Sequence, residues 1–176
     1  QSGELQLVGQ IGGSTEAVAV AGGIAYVGIG PRLVCVDVSD PTRPQPIGQT
    51  VLFPDRVYEI FVSGTTAYVA NGAAGLRVID VRDPTGPRDL GALDTPDLAR
   101  GVFVSGSTAY VADFNSGLLV VDVRDPAAPR EIAALGPCAR LRQDDIRGIR
   151  TGTRDGEAGE SAHADRGAGR GRQCVD

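Results

Sequence analysis

The tripeptide Ala-Tyr-Val occurs three times, and its tyrosines, Tyr26, Tyr68 and Tyr110, stand 42 residues apart. A fixed period of that length confines a chain to repeat architectures, in which each unit buries its apolar faces against its neighbours. Three further features keep the same phase. Gly22, Gly64 and Gly106 lie four residues before the tyrosines. An apolar run ending in aspartate follows each tyrosine: Leu33-Val-Cys-Val-Asp37, Leu76-Arg-Val-Ile-Asp80 and Leu118-Leu-Val-Val-Asp122. An Asp-Pro-x-x-Pro segment then runs from Asp40 to Pro44, from Asp83 to Pro87 and from Asp125 to Pro129.

Each unit reads as four short strands. In the third copy, Gly101 to Val104 alternates like a first strand and Thr108 to Ala112 like a second. Leu118 to Val123 is almost continuously apolar, the pattern of a strand covered on both faces. Arg130 to Leu135 is more polar and suits an outer edge. Gly22, Gly64 and Gly106 fall where a tight hairpin between strands one and two needs positive φ, which only glycine adopts cheaply. In Asp-Pro-x-x-Pro the carboxylate accepts local backbone N–H groups and the proline removes a donor, which ends strand three and starts a turn. Four strands in about 40 to 45 residues predict an all-β chain of propeller-type blades.

Composition narrows the partners. The net charge is −5, and all 17 basic residues are arginine without a basic block, which argues against nucleic acid. No run approaches the roughly 18 apolar residues of a membrane span. Cys35, Cys138 and Cys174 form no Cys-x-x-Cys pair, and an odd number cannot all pair within one chain. The chain begins at Gln1 with no visible signal peptide, as a processed or excised piece would.

The apolar run with its aspartate, followed by Asp-Pro, resembles the LVIVD repeat over roughly Glu16 to Leu135. That family is propeller-like and bacterial or archaeal, and many members are thought to be at the cell surface. The resemblance therefore implies an extracellular or cell-surface scaffold, with a biochemical role mostly unassigned. The first copy departs from the pattern, because its link Gly30-Pro31-Arg32 is one residue short.

The expected organisation is a repeat domain over 1–135, with blades at 14–53, 54–95 and 96–135. Leu7-Val-Gly-Gln10 resembles Pro46-Ile-Gly-Gln49 and Asp89-Leu-Gly-Ala92, so residues 1–13 read as the outer strand of a preceding or incomplete blade. Three blades fall short of the four to eight usual in closed propellers. An open arc follows, marginally stable and prone to self-association through its open blade edges. From 136 to 176 the character changes: eight arginines, eight glycines and seven acidic residues, with no aromatic. Such a segment reads as a disordered tail, or as a truncated or frame-shifted continuation of the repeat. Its near-balanced charge speaks against polyanion binding.

Candidate chemistry is sparse. Asp37, Asp80 and Asp122 either converge on an ion or serve the turns that follow them; the second reading needs no ligand. Arg82 and Arg124, with Ser39 in the first copy, sit two residues further on, either bridging blades or free at an edge. The loops between strands two and three, with the links between blades, gather Asp55, Arg56, Asn71, Asp94, Asp97, Arg100, Asp113, Phe114 and Asn115 as candidate binding-face residues. The same residues are ordinary turn formers, with Phe114 the exception. Calcium on loop oxygens lacks an Asp-x-Asp-x-Asp spacing. The single histidine, His163, has no nucleophile or metal partner, and phosphate-loop, dinucleotide and Gly-x-Ser-x-Gly motifs are missing. Cys35 fills the slot of Val78 and Val120 and reads as a buried thiol.

No catalytic residue, cofactor or metal is assigned. The leading expectation is a non-enzymatic scaffold for protein or macromolecular binding, a fragment of a longer surface protein. The alternatives are a propeller-type hydrolase or lactonase whose site needs further blades, and a gene product without function.

Overall fold

The computed structural model describes residues 14–136. The chain divides into two units, Gln1–Arg140 and Leu141–Asp176, and the described residues belong to the first. The expected outer strand at 1–13, the tail beyond Gly136, Cys138, His163 and Cys174 lie outside them.

Among the described residues twelve strands form three four-stranded antiparallel meanders, and almost no helix accompanies them. Blade 1 holds β1 (Thr15–Ala21), β2 (Ile24–Ile29), β3 (Leu33–Asp37) and β4 (Gln45–Gln49). Blade 2 holds β5 (Glu59–Ser63), β6 (Thr66–Ala70), β7 (Leu76–Asp80) and β8 (Arg88–Leu93). Blade 3 holds β9 (Ala99–Ser105), β10 (Thr108–Asp113), β11 (Leu118–Asp122) and β12 (Arg130–Leu135). The register repeats as the period predicts: Tyr26 lies opposite Cys35, Tyr68 opposite Val78, and Tyr110 opposite Val120. No helix among the described residues is long and apolar enough to cross a membrane.

The turn glycines behave as read. Gly64 and Gly106 have φ of 59° and each opens a two-residue hairpin turn. Positive φ at the first turn position alone is the type II′ pattern. Blade 1 has glycine at both positions, with φ of 58° at Gly22 and 79° at Gly23, the type I′ pattern. Both twist in the sense that paired strands require.

Successive blades pack face to face. The first strands adjoin, β1 on β5 and β5 on β9, while the fourth strands form polar outer edges. Tyr26, Leu33 and Cys35 of blade 1 are buried against Ile60, Val69 and Ile79 of blade 2. Tyr68, Leu76 and Val78 of blade 2 are buried against Val102, Val111 and Val121 of blade 3. Tyr26 and Tyr68 thus point forward into the next blade, and each such buried side chain contributes about 1.5–3 kcal/mol.

One expectation needs correction at the third blade. The apolar run of β11 predicted cover on both faces, as in β3 and β7. In β11, Leu119 and Val121 are buried, whereas Leu118 and Val120 on the forward face are only half-buried. The forward face has no further blade against it among the described residues. Tyr110 is accordingly 39% exposed, against 5% for Tyr26 and 7% for Tyr68.

The seam also explains a glycine. Gly48 in β4 faces Cys35 and Gly91 in β8 faces Val78. A Cβ on Gly48 would lie 2.2 Å from the Pro84 carbonyl oxygen, and one on Gly91 would lie 2.7 Å from those of Pro126 and Ala127. The Asp-Pro turn of each following blade therefore rests on a bare backbone in the outer strand before it.

Candidate functional site

Blades 2 and 3 each begin with a chain segment that leads from the preceding blade into the first strand. The loop between the second and third strands closes over that segment at the same end of the blade. In blade 2, Asn71 directly follows the apolar strand β6 and is fully buried. Its amide donates to the carbonyl oxygens of Asp55 and Arg56 in the incoming segment. Its Oδ1 has no partner among the described residues. In blade 3 the equivalent residue is Asp113, also fully buried. It accepts from the Thr95 hydroxyl at 2.7 Å and from the Asp97 amide at 3.0 Å.

The incoming segments reach back in the same way. Asp55 accepts from the Ala73 amide at 2.8 Å, and Asp97 accepts from the Asn115 amide at 3.1 Å. Five of the candidate loop residues, Asp55, Asn71, Asp97, Asp113 and Asn115, are thereby engaged in tying segment to loop. Arg56 reaches Glu16 at 3.0 Å on the surface. Asp94 is exposed, and no hydrogen bond of its side chain occurs among the described residues.

What remains at this end is an aromatic and cationic cluster. Phe114 opens the short 3₁₀ turn Phe114–Ser116 and is 50% exposed. Its φ of 35° makes it the only non-glycine with positive φ among the described residues. For a bulky side chain this is a strained conformation. The Arg100 guanidinium lies 4.1 Å from the Phe114 ring centroid and 5.7 Å from that of Tyr58. Among the described residues Arg100 has no carboxylate partner. An arginine flanked by two ring faces keeps its planar donors available to a partner while its stem stays ordered. Tyr58 escaped the sequence reading. The signal was present, since Tyr58 and Arg100 are themselves 42 residues apart and so occupy one blade position.

The repeated aspartates serve turns. Asp37 accepts from the Ser39 amide and hydroxyl, Asp80 from the Arg82 amide, and Asp122 from the Arg124 amide and guanidinium. Arg124 pairs within its own blade rather than bridging to a neighbour. Hydrogen bonds from Ser39 hold the Asp37 carboxyl below its ordinary range, and Arg124 brings that of Asp122 to about 2. Asp40, Asp83 and Asp125 likewise accept amides two residues on, from Thr42, Thr85 and Ala127. In blades 1 and 2 the two aspartates line shallow depressions of about 250 and 190 Å³. Among the described residues no group of three or more acidic, histidine or cysteine side chains is arranged to hold a metal ion. Cys35 is fully buried, and burial pushes its thiol up to about 11.

Comparison with known proteins follows the same lines. The family model for the LVIVD repeat matches three times, at residues 12–50, 56–95 and 98–134. A search of curated proteins finds no match. Among solved structures, the chain is similar to the computationally designed Ika8 protein, with a TM-score of 0.58 and 10% identity over 69% of this chain. It is also similar to the computationally designed Ika4 protein, with a TM-score of 0.62 and 12% identity over 76% of this chain. The match spans 36% of the Ika8 chain and 81% of the Ika4 chain. At such identities the likeness is one of fold alone.

Proposed function

The chain belongs to the LVIVD-repeat family, and on that premise we propose that it is a non-enzymatic scaffold that binds a protein or other macromolecule at the loop end of blades 2 and 3. The observation that carries this reading is Arg100 held between the rings of Phe114 and Tyr58. Arginine and aromatic side chains dominate the few residues that supply most binding energy at protein interfaces. The neighbouring loops are fastened by Asn71 and Asp113, so the cluster stands on a rigid base, and a partner would meet a surface already ordered. Backbone strain at Phe114 adds support, because such strain collects at functional positions. The family resemblance supports reading this activity as one exercised outside the cytoplasm, at a cell surface.

A photo-crosslinking residue at position 114 tests the reading, with the same residue at position 105 on the opposite hairpin end as control. A partner should crosslink from position 114 alone, and Arg100→Ala should reduce its capture at least about tenfold with unchanged melting. Equal capture from both positions, or capture indifferent to Arg100→Ala, overturns the proposal. A calcium-dependent rise in melting temperature would favour the hydrolase alternative instead.

A further inference from the structure

The chain carries both halves of one more blade seam. Inside the chain, a seam forms when the forward face of one blade meets the reverse face of the next. The forward face of blade 3 presents Phe103, Tyr110, Leu118 and Val120, with Phe103 58% exposed. These positions match Phe61, Tyr68, Leu76 and Val78, which pack into the seam between blades 2 and 3. The reverse face of blade 1 presents Val18 and Val20, both well exposed, beside a small separate cluster of Ala25, Val34 and Val36. Val18, Val20, Ala25 and Val36 match Ile60, Val62, Ala67 and Ile79, the blade 2 positions that receive Tyr26 and Leu33. Neither open face pairs with its own kind inside the chain: a forward face meets only a reverse face.

We infer that two copies of this chain associate head to tail, the forward face of blade 3 of each covering the reverse face of blade 1 of the other. The two ends are different surfaces, so the contact is heterologous and closes only if the rotation per blade allows a ring. The described residues form three blades, and two copies supply six, within the range of closed propellers. The occupant is thus a surface whose shape the chain already matches twice internally, and it is present at the protein's own concentration.

One residue distinguishes this seam from the internal two. Val120 pairs with Ala133 where Cys35 pairs with Gly48 and Val78 with Gly91. The partner's Asp40–Pro44 turn would meet the Ala133 Cβ at the place where Pro84 and Pro126 rest on bare backbone. The seam between copies must open by a fraction of an ångström, which weakens it relative to the internal ones. Association is therefore reversible, and Ala133 sets its strength.

Sedimentation velocity of the 176-residue chain over a range of concentrations tests this. Wild type should pass from monomer to dimer as concentration rises, and Ala133→Gly should lower the dissociation constant about fivefold or more. Phe103→Asp and Val20→Asp, both at exposed positions, should each be monomeric alone with unchanged circular dichroism. Mixed together they should form a heterodimer through the one intact seam. A wild type that stays monomeric at every concentration, as it would if other parts of the chain cover these faces, overturns the inference. So does an Ala133→Gly variant that associates no better. A mixture that fails to pair while Val20→Asp alone still dimerises would mean a forward-to-forward contact and would also refute it.

Discussion

Asn71 and Asp113 hold the same place in successive blades and grip the incoming segment by opposite ends of the hydrogen bond. Asn71 donates to the carbonyl oxygens of Asp55 and Arg56, whereas Asp113 accepts from the Thr95 hydroxyl and the Asp97 amide. The segment's inward backbone groups need partners, and which side chain supplies them depends on whether the segment turns carbonyls or amides inward. The residue type at each site thus follows the local backbone.

Replacing either residue should be costly. Asn71→Asp would aim carboxylate oxygens at two carbonyls and lose both donors. Asp113→Ala would leave a hydroxyl and an amide unpaired. Each should lower stability by about 1–3 kcal/mol, read as a shift of the urea midpoint at constant m.

Glycine at the seams should be irreplaceable where it carries the next blade. Gly48→Ala and Gly91→Ala force the Asp-Pro turn outward and should cost about 1–3 kcal/mol each. Gly86 sits in a turn with open space around its Cβ position and negative φ. Gly86→Ala should be neutral or slightly stabilising, which separates close approach from a general glycine requirement.

Acid should act through the turns. Asp37, Asp40, Asp83 and Asp122 are all held below their ordinary values, by hydrogen bonds from Ser39, Thr42, Thr85 and Arg124 respectively. A carboxyl depressed in the folded state binds fewer protons there than when unfolded, so its stabilisation is complete above about pH 4 and lost below it. For Asp122 the loss extends down to about pH 2. Asp89, raised by burial against the pull of Arg77, works in the opposite sense. Melting temperature should fall between pH 4 and pH 2, and Asp122→Asn should show a shallower fall.

Cys35 should behave as a space-filling side chain. The same slot holds Val78 and Val120, so Cys35→Val should change stability by less than about 1.5 kcal/mol. Cys35→Ser places a hydroxyl in that apolar site and should cost more. With its thiol raised to about 11, folded protein should resist alkylation of Cys35 at pH 8 and lose that resistance on unfolding.

The blades were legible because Gly22, Tyr26, Asp37 and their counterparts do chemistry that only one local geometry satisfies. Loop residues were less so. Asn71 and Asp113 are turn formers by type, and their burial depends on segments that arrive from the preceding blade. Their shared phase, at the end of an apolar strand, was the available signal. The half-bare face of β11 could not be read from Leu118 to Val123, because an apolar run reports what a strand can bury and not whether a neighbour is there. Phe114 stood out by type, but its pairing with Arg100, which also faces Tyr58, needed the fold.

Tyrosine nitration at low protein concentration, followed by peptide mass spectrometry, tests the stacking of blades most directly. Reagent access requires exposure, and the reaction proceeds through the phenolate. Burial both shields Tyr26 and Tyr68 and raises their phenols above the usual value. Tyr110, at the same position on the open face, should be nitrated well before Tyr26 and Tyr68. Comparable rates at all three would contradict the stacked-blade account.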